Sequence, residues 1–167
     1  MKVTTILSCV LAITSCLQAR SKARQGLTSQ PNQTDSALTA QTRKIFENIT
    51  ENILKSAKAM PDNNYGFSPA EGVWTFGELI AHIANVQSTL CSNINRHPAR
   101  KAATPASKNS IMKNLESSSQ ECDTAFDELS AQNVSLPVDT PVGQLTHMGA
   151  LLYIITHASE EYGQLAT

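Results

Sequence analysis

Apolar residues recur every three to four positions in four separate stretches of this chain, and no stretch alternates them every second position. Leu38, Ile45, Phe46, Ile49, Ile53, Ala57 and Met60 mark the first, over residues 37–59. Pro61, which has no N–H to donate, stops it. The second opens with Thr75-Phe76-Gly77-Glu78, where the Thr75 hydroxyl and the Glu78 carboxylate can each satisfy a free backbone N–H. It continues through Leu79, Ile80, Ile83, Val86 and Leu90. The third, 109–130, carries Ile111, Leu115, Cys122, Phe126 and Leu129. The fourth, from 146 to the end, carries Met148, Leu151, Leu152, Ile155, Ala158, Tyr162 and Leu165. Helices of this length reach about 30 Å. Burying such stripes against one another predicts an all-α, four-helix bundle. Only 7 Gly and 7 Pro in 167 residues also argue against a many-turned β-sandwich. The segments around 62–74 and around Pro137 and Pro141 are expected to be loops.

The connector 95–107 is polar and, when extended, long enough to run the length of a bundle. Helices two and three can therefore be parallel, joined by a crossover, or antiparallel, joined by a sharp return. Cys91 and Cys122 bear on the same choice. Antiparallel helices would leave these residues about 15 Å apart along the axis, and Cα atoms must come within about 7 Å to bond. Parallel helices put both cysteines in their last turns, where a disulfide is allowed.

Ahead of the helices, Met1 and Lys2 precede an apolar and small-residue run over 3–17. That is shorter than the ~20 residues of a spanning helix and reads as an export signal, with Leu17-Gln18-Ala19 at a cleavage position. Ile13-Thr14-Ser15-Cys16 is also a lipobox pattern, in which Cys16 would be lipidated and tie the protein to a membrane. Arg20, Lys22 and Arg24 just after the run oppose translocation. Cleavage after Ala19 would leave a periplasmic or extracellular protein with a polar tether over 20–36 and a bundle over 37–167. The 13 basic and 14 acidic residues nearly balance, which excludes a dedicated nucleic-acid grip.

Few residues carry chemistry. His82 lies at the border of the second stripe, and His157 and Glu161 are an i, i+4 pair on the ridge Ala150, Ile154, His157, Glu161. Imidazoles and a carboxylate from two facing helices can provide three ligands to a divalent metal and leave room for water or substrate. The bland alternative is a solvated ion pair. Glu160 points to a different face, as a hydrogen-bonding partner of a ligand or a solvated side chain. His147, ten residues from His157, is about 15 Å away along the helix and cannot share a metal with it. His97, among Arg96, Arg100 and Lys101, reads as surface, and Trp74 and Phe76 as core anchors. There is no nucleophile elbow and no phosphate-cradling glycine loop.

The run Lys58-Ala59-Met60-Pro61 through Tyr65-Gly66-Phe67, with Pro69 and residues 73–84, and the ending His157-Ala158-Ser159-Glu160-Glu161-Tyr162-Gly163-Gln164-Leu165, resemble the DinB-like family. The likeness covers about 39 to the C-terminus. It implies an up-down-down-up bundle with a long crossover between helices two and three. It also implies a divalent metal (zinc, nickel, iron or manganese) held by a histidine of helix two and a His-x-x-x-His of helix four. Here the second histidine of that motif is Glu161, giving a two-histidine, one-carboxylate set. The family's chemistry implies thiol-transferase or hydrolase activity on a small molecule, with self-association as a homodimer also compatible. The alternative is a non-catalytic exported bundle that binds a small ligand or partner beside a lapsed site. The family's chains usually extend beyond this motif, so residues after Thr167 are expected.

Overall fold

The computed structural model describes residues 33–98 and 107–166. The apolar stripes become four helices: α1 (Gln33–Ala59), α2 (Phe76–Ile94), α3 (Lys108–Asp127) and α4 (His147–Leu165). The starts of α2, α3 and α4 are set by hydroxyl side chains that satisfy free N–H groups. The Thr75 hydroxyl accepts from Glu78 N at 3.2 Å, and Thr75 N donates to the Glu78 carboxylate at 2.8 Å. Ser107 and Ser110 form the same reciprocal pair ahead of α3, and Thr146 accepts from Gly149 N at 3.0 Å ahead of α4.

Contacts along the helices fix their directions. Gly77 meets Ile111, the Ser118 hydroxyl donates to Gln87 Oε1 at 2.9 Å, and Cys91 is bonded to Cys122. Both sequences advance together, so α2 and α3 are parallel. Arg43, in the first half of α1, pairs with Asp127 at the end of α3, and Lys108 Nζ at the start of α3 donates to Met60 O at 2.7 Å just beyond α1, so α1 runs against α3. His82 faces His157, and Leu90 and Ile94 cluster with Ala150 and Leu151, so α4 runs against α2. The order is up-down-down-up. The course of residues 99–106 between α2 and α3 lies outside the described residues.

The core has two apolar ends. One gathers Phe46, Leu90, Ile94, Phe126, Leu151 and Ile154, with the Phe46 and Phe126 rings 5.5 Å apart. The other gathers Ile53, Tyr65, Phe76, Ile80, Ile83 and Leu115. Buried Gln87, Ser118 and Ser119 lie between them.

Several expectations need correcting. The segment around Pro137 and Pro141 is a β-hairpin, β1 (Pro137–Thr140) antiparallel to β2 (Gly143–Thr146), with Val138 opposite Leu145. Strands of four residues are too short to show alternation in sequence, and the two prolines mask them. The hairpin drops Val138 into the first core cluster, and Leu136 O accepts from His147 N at 2.9 Å, setting the direction in which α4 leaves it. On α1, Leu38 and Ile45 are exposed, and the buried stripe is Thr42, Phe46, Ile49, Ile53 and Ala57. Leu152 on α4 is exposed as well. Helix α1 also begins at Gln33, inside the stretch read as tether, because polar residues can extend a helix without leaving an apolar period. The apolar run over 3–17, Cys16 and the tether up to residue 32 lie outside the described residues. No helix among the described residues is long and apolar enough to cross a membrane.

Candidate metal centre

His82 sits on α2 less than two turns from its capped start, and the antiparallel α4 brings His157 and Glu161 opposite it. The Nε2 atoms of His82 and His157 are 3.0 Å apart. Glu161 Oε1 lies 3.6 Å from His157 Nε2 and 3.8 Å from His82 Nε2. A triangle with these sides has its corners about 2.0 Å from a common centre, the length of a metal–imidazole or metal–carboxylate bond. The three donor atoms all lie within 4.8 Å of one another, a spacing and donor set that could hold a divalent cation.

Burial shapes the site. Ala150 and Ile154 are fully buried and Glu161 is only 9% exposed, so the ridge faces the bundle interior and does not flank it. The His157 and Glu161 side chains are 13% and 11% exposed, so the pair is mostly shielded from water. A buried carboxylate is costly without partners, and Glu161 has two imidazoles beside it. Burial pushes the His82 pKa below its ordinary value; His157 nearby pushes the same way, and Glu161 opposes both. The His82 ring is thus held neutral, the form whose lone pair can ligate.

An aromatic side chain that the sequence reading missed borders the triad. The Trp74 ring lies 4.5 Å from the His82 ring. Phe76 is a core anchor, edge-on to Tyr65 at 5.2 Å, but Trp74 is half exposed and covers His82. The signal was its place just ahead of the helix N-cap, where the rigid start of α2 fixes it near that helix's first two turns. Tyr153 stands farther off, its ring 6.0 Å from that of His157.

The other candidates fall elsewhere. Glu160 is exposed, and its face is not that of the triad. His147 is buried in the first turn of α4, where burial, with Arg96 adding to it, lowers its pKa. His97 is exposed and 3.5 Å from Glu121. Cys91 and Cys122, both fully buried, are joined with their Cα atoms 5.0 Å apart, as parallel helices permit.

The chain is similar in structure to a conserved protein from Enterococcus faecalis, at 16% identity and a TM-score of 0.63, over 77% of this chain and 92% of that one. It is similar to a DinB-like protein from Bacillus cereus at 18% identity and a TM-score of 0.64, over 75% of this chain and 86% of that one. A mycothiol-dependent maleylpyruvate isomerase shares the fold at 18% identity and a TM-score of 0.66, over 77% of this chain and 61% of the isomerase. No curated protein sequence matches. The sequence pattern of the DinB superfamily matches residues 45–165, from the middle of α1 to the end of α4 and across every residue of the triad, so the chain belongs to the DinB superfamily.

Proposed function

We propose that this chain is an exported metal-binding protein with thiol-transferase or hydrolase activity on a small molecule. His82, His157 and Glu161 would hold one divalent cation, zinc, nickel, iron or manganese. The observation that carries the reading is the convergence of two Nε2 atoms and one carboxylate oxygen from facing helices. Once bound, such a cation would supply Lewis acidity that favours the deprotonated form of a thiol or water. The protein's own groups set the conditions. Glu161 contributes a charged, harder donor, His82 is held neutral by burial, and Trp74 shields one side of His82 from water. The thiol arm follows the likeness to the mycothiol-dependent isomerase. Export rests on the apolar run over 3–17, and any membrane attachment on lipidation of Cys16; Cys16→Ser would abolish that attachment. The near balance of charge goes with a small-molecule partner and not with nucleic acid, and a homodimer is compatible with the proposal.

One observation favours a second reading. Two neutral imidazoles with Nε2 atoms 3.0 Å apart can share a hydrogen bond, which would satisfy the pair on a bundle whose site has lapsed. Elemental analysis of the purified protein separates the readings. About one equivalent of metal is expected, lost in His82→Ala and His157→Ala with helical content unchanged. Glu161→Ala should weaken binding and Glu161→His should retain it with a shift toward zinc. Affinity should fall steeply from pH 7 to about 5, because protons compete with the metal for its ligand atoms. A metal-free wild type that gains metal only as Glu161→His would refute the enzyme and leave the binding bundle.

A further inference from the structure

We infer that the apolar pocket beside the triad is the binding site for a neutral aromatic or branched-alkyl group of the substrate, whose polar end meets His82, His157 and Glu161. This deepens the proposed function and rests on it for the polar end alone.

The pocket encloses about 490 Å³, enough for a small molecule, and no charged side chain lines it. Its walls include Phe67, Pro69, Val73, Trp74, Leu79 and Leu165. Phe67, Val73 and Trp74 expose 62%, 48% and 49% of their surface. Large apolar side chains grouped at the surface signal a binding face, whereas scattered ones do not.

Position connects this pocket to the donors. Leu79 precedes His82 by three residues on α2, and Leu165 follows Glu161 by four on α4. Each pair shares a helix face one turn apart, about 5 Å. Trp74 belongs to both, lining the pocket while its ring lies 4.5 Å from that of His82. A molecule with a polar head and an apolar tail a few bonds apart can therefore reach both places at once. An anionic tail would lose its hydration against an uncharged wall with no cation to replace it, so the tail is neutral.

Trp74 is the chain's single tryptophan, so its emission reports on this wall without interference. The zinc-loaded protein would be titrated with acetohydroxamate and benzohydroxamate, which carry the same metal-binding head and differ in a methyl or a phenyl tail. The phenyl compound should bind about ten- to a hundredfold more tightly, as burying a ring predicts, and should perturb Trp74 emission. Val73→Asp, at an exposed position, should reduce that ratio to below about threefold while leaving zinc content and acetohydroxamate affinity unchanged. Equal affinities in a protein shown to carry zinc would overturn the inference, as would a preference that survives Val73→Asp. So would sedimentation showing a dimer that Val73→Asp splits, since the patch would then belong to a second copy. If the protein takes up no metal, the proposed function fails separately. Benzyl alcohol, which needs no metal, would then decide the pocket: a change in Trp74 emission seen in wild type and lost in Val73→Asp supports it, and no change in wild type refutes it.

Discussion

Replacing both Cys91 and Cys122 by Ala tests the parallel pairing of α2 and α3 most directly. The bond closes a loop with a sequence separation of 31. In the chain-entropy account, releasing such a loop in the unfolded state costs the folded protein about 3.7 kcal/mol at 25 °C. Both side chains are fully buried within the apolar cluster of Phe126 and Leu151, so the truncation also leaves small voids, which can only add to the loss. For a folded unit of this size the thermal midpoint should drop by roughly 10–15 °C. Urea unfolding gives the free energy, and non-reducing mass measurement should find the wild type two hydrogens lighter than its reduced chain. Metal content supplies an independent readout. Cys91 is nine residues beyond His82 on α2, about 13 Å along the axis, so the folded double variant should still bind metal. A stability loss below about 1.5 kcal/mol would show that the bond does not constrain the unfolded chain as reasoned. Two free thiols in the native wild type would show that it does not form.

Three further outcomes are expected. At Gly77 an added Cβ would lie 3.0 Å from Tyr65 O and 3.3 Å from Ile111 Cδ1, so Gly77→Ala should destabilise by about 1–3 kcal/mol despite the better helix propensity of alanine; an unchanged urea midpoint would contradict the close approach. His82 and His147 both have folded pKa values below the ordinary ~6.5, so the unfolded chain takes up protons first. Stability of the metal-free protein should therefore be full above about pH 6.5 and decline as pH falls through the lower folded values, and a flat midpoint from pH 7.5 to 5.5 would refute it. Ala158 of α4 is buried in the same apolar cluster as Ile80, Ile83 and Ala84 of α2, so Ala158→Leu should push these helices apart and weaken metal binding in a protein that still folds. Unchanged zinc affinity in that variant would separate the site from the helix spacing.

What the sequence disclosed, and what it hid, follows from the range of each interaction. Helices show because their apolar period repeats over many turns, and the Thr75–Glu78 cap shows because it is local. The faces of α1 were legible only in part: Leu38 and Ile45 are as apolar as Ile49 and Ile53, and only the packing partners decide which are covered. The hairpin was hidden because its link to the fold is long-range, through Val138 in the first core cluster and through β2 leading into α4, and its strands have only four residues each. At the site, the spacing of His157 and Glu161 put two donors on one ridge, whereas the place of Trp74 ahead of the N-cap put it near the first turns of α2 without showing its contact with His82. It lies outside the helical period, and its contact with His82 depends on how the loop ahead of α2 folds back. The direction of α2 against α3 was open in the residues themselves, since a 13-residue connector permits both.

The parallel order has a consequence for the site. On α2, nine residues separate His82 from Cys91, two and a half helical turns, which places them on opposite sides of the helix. One side is covalently fixed to α3 and the other presents its imidazole to α4. The axial position of His82 is therefore set relative to α3 by a bond, and relative to α4 by the apolar cluster that buries Ala158 of α4 with Ile80, Ile83 and Ala84 of α2. A slip of a single turn between α2 and α4 would move His82 about 5.4 Å from His157 and Glu161, more than the 3.0–3.8 Å that now separates the donors. Small residues at that contact let the helices approach closely enough for the triangle to close. The same α2–α4 seam opens at Leu79 and Leu165 into the apolar pocket, so helix spacing sets the donor geometry and the width of the neighbouring cavity together.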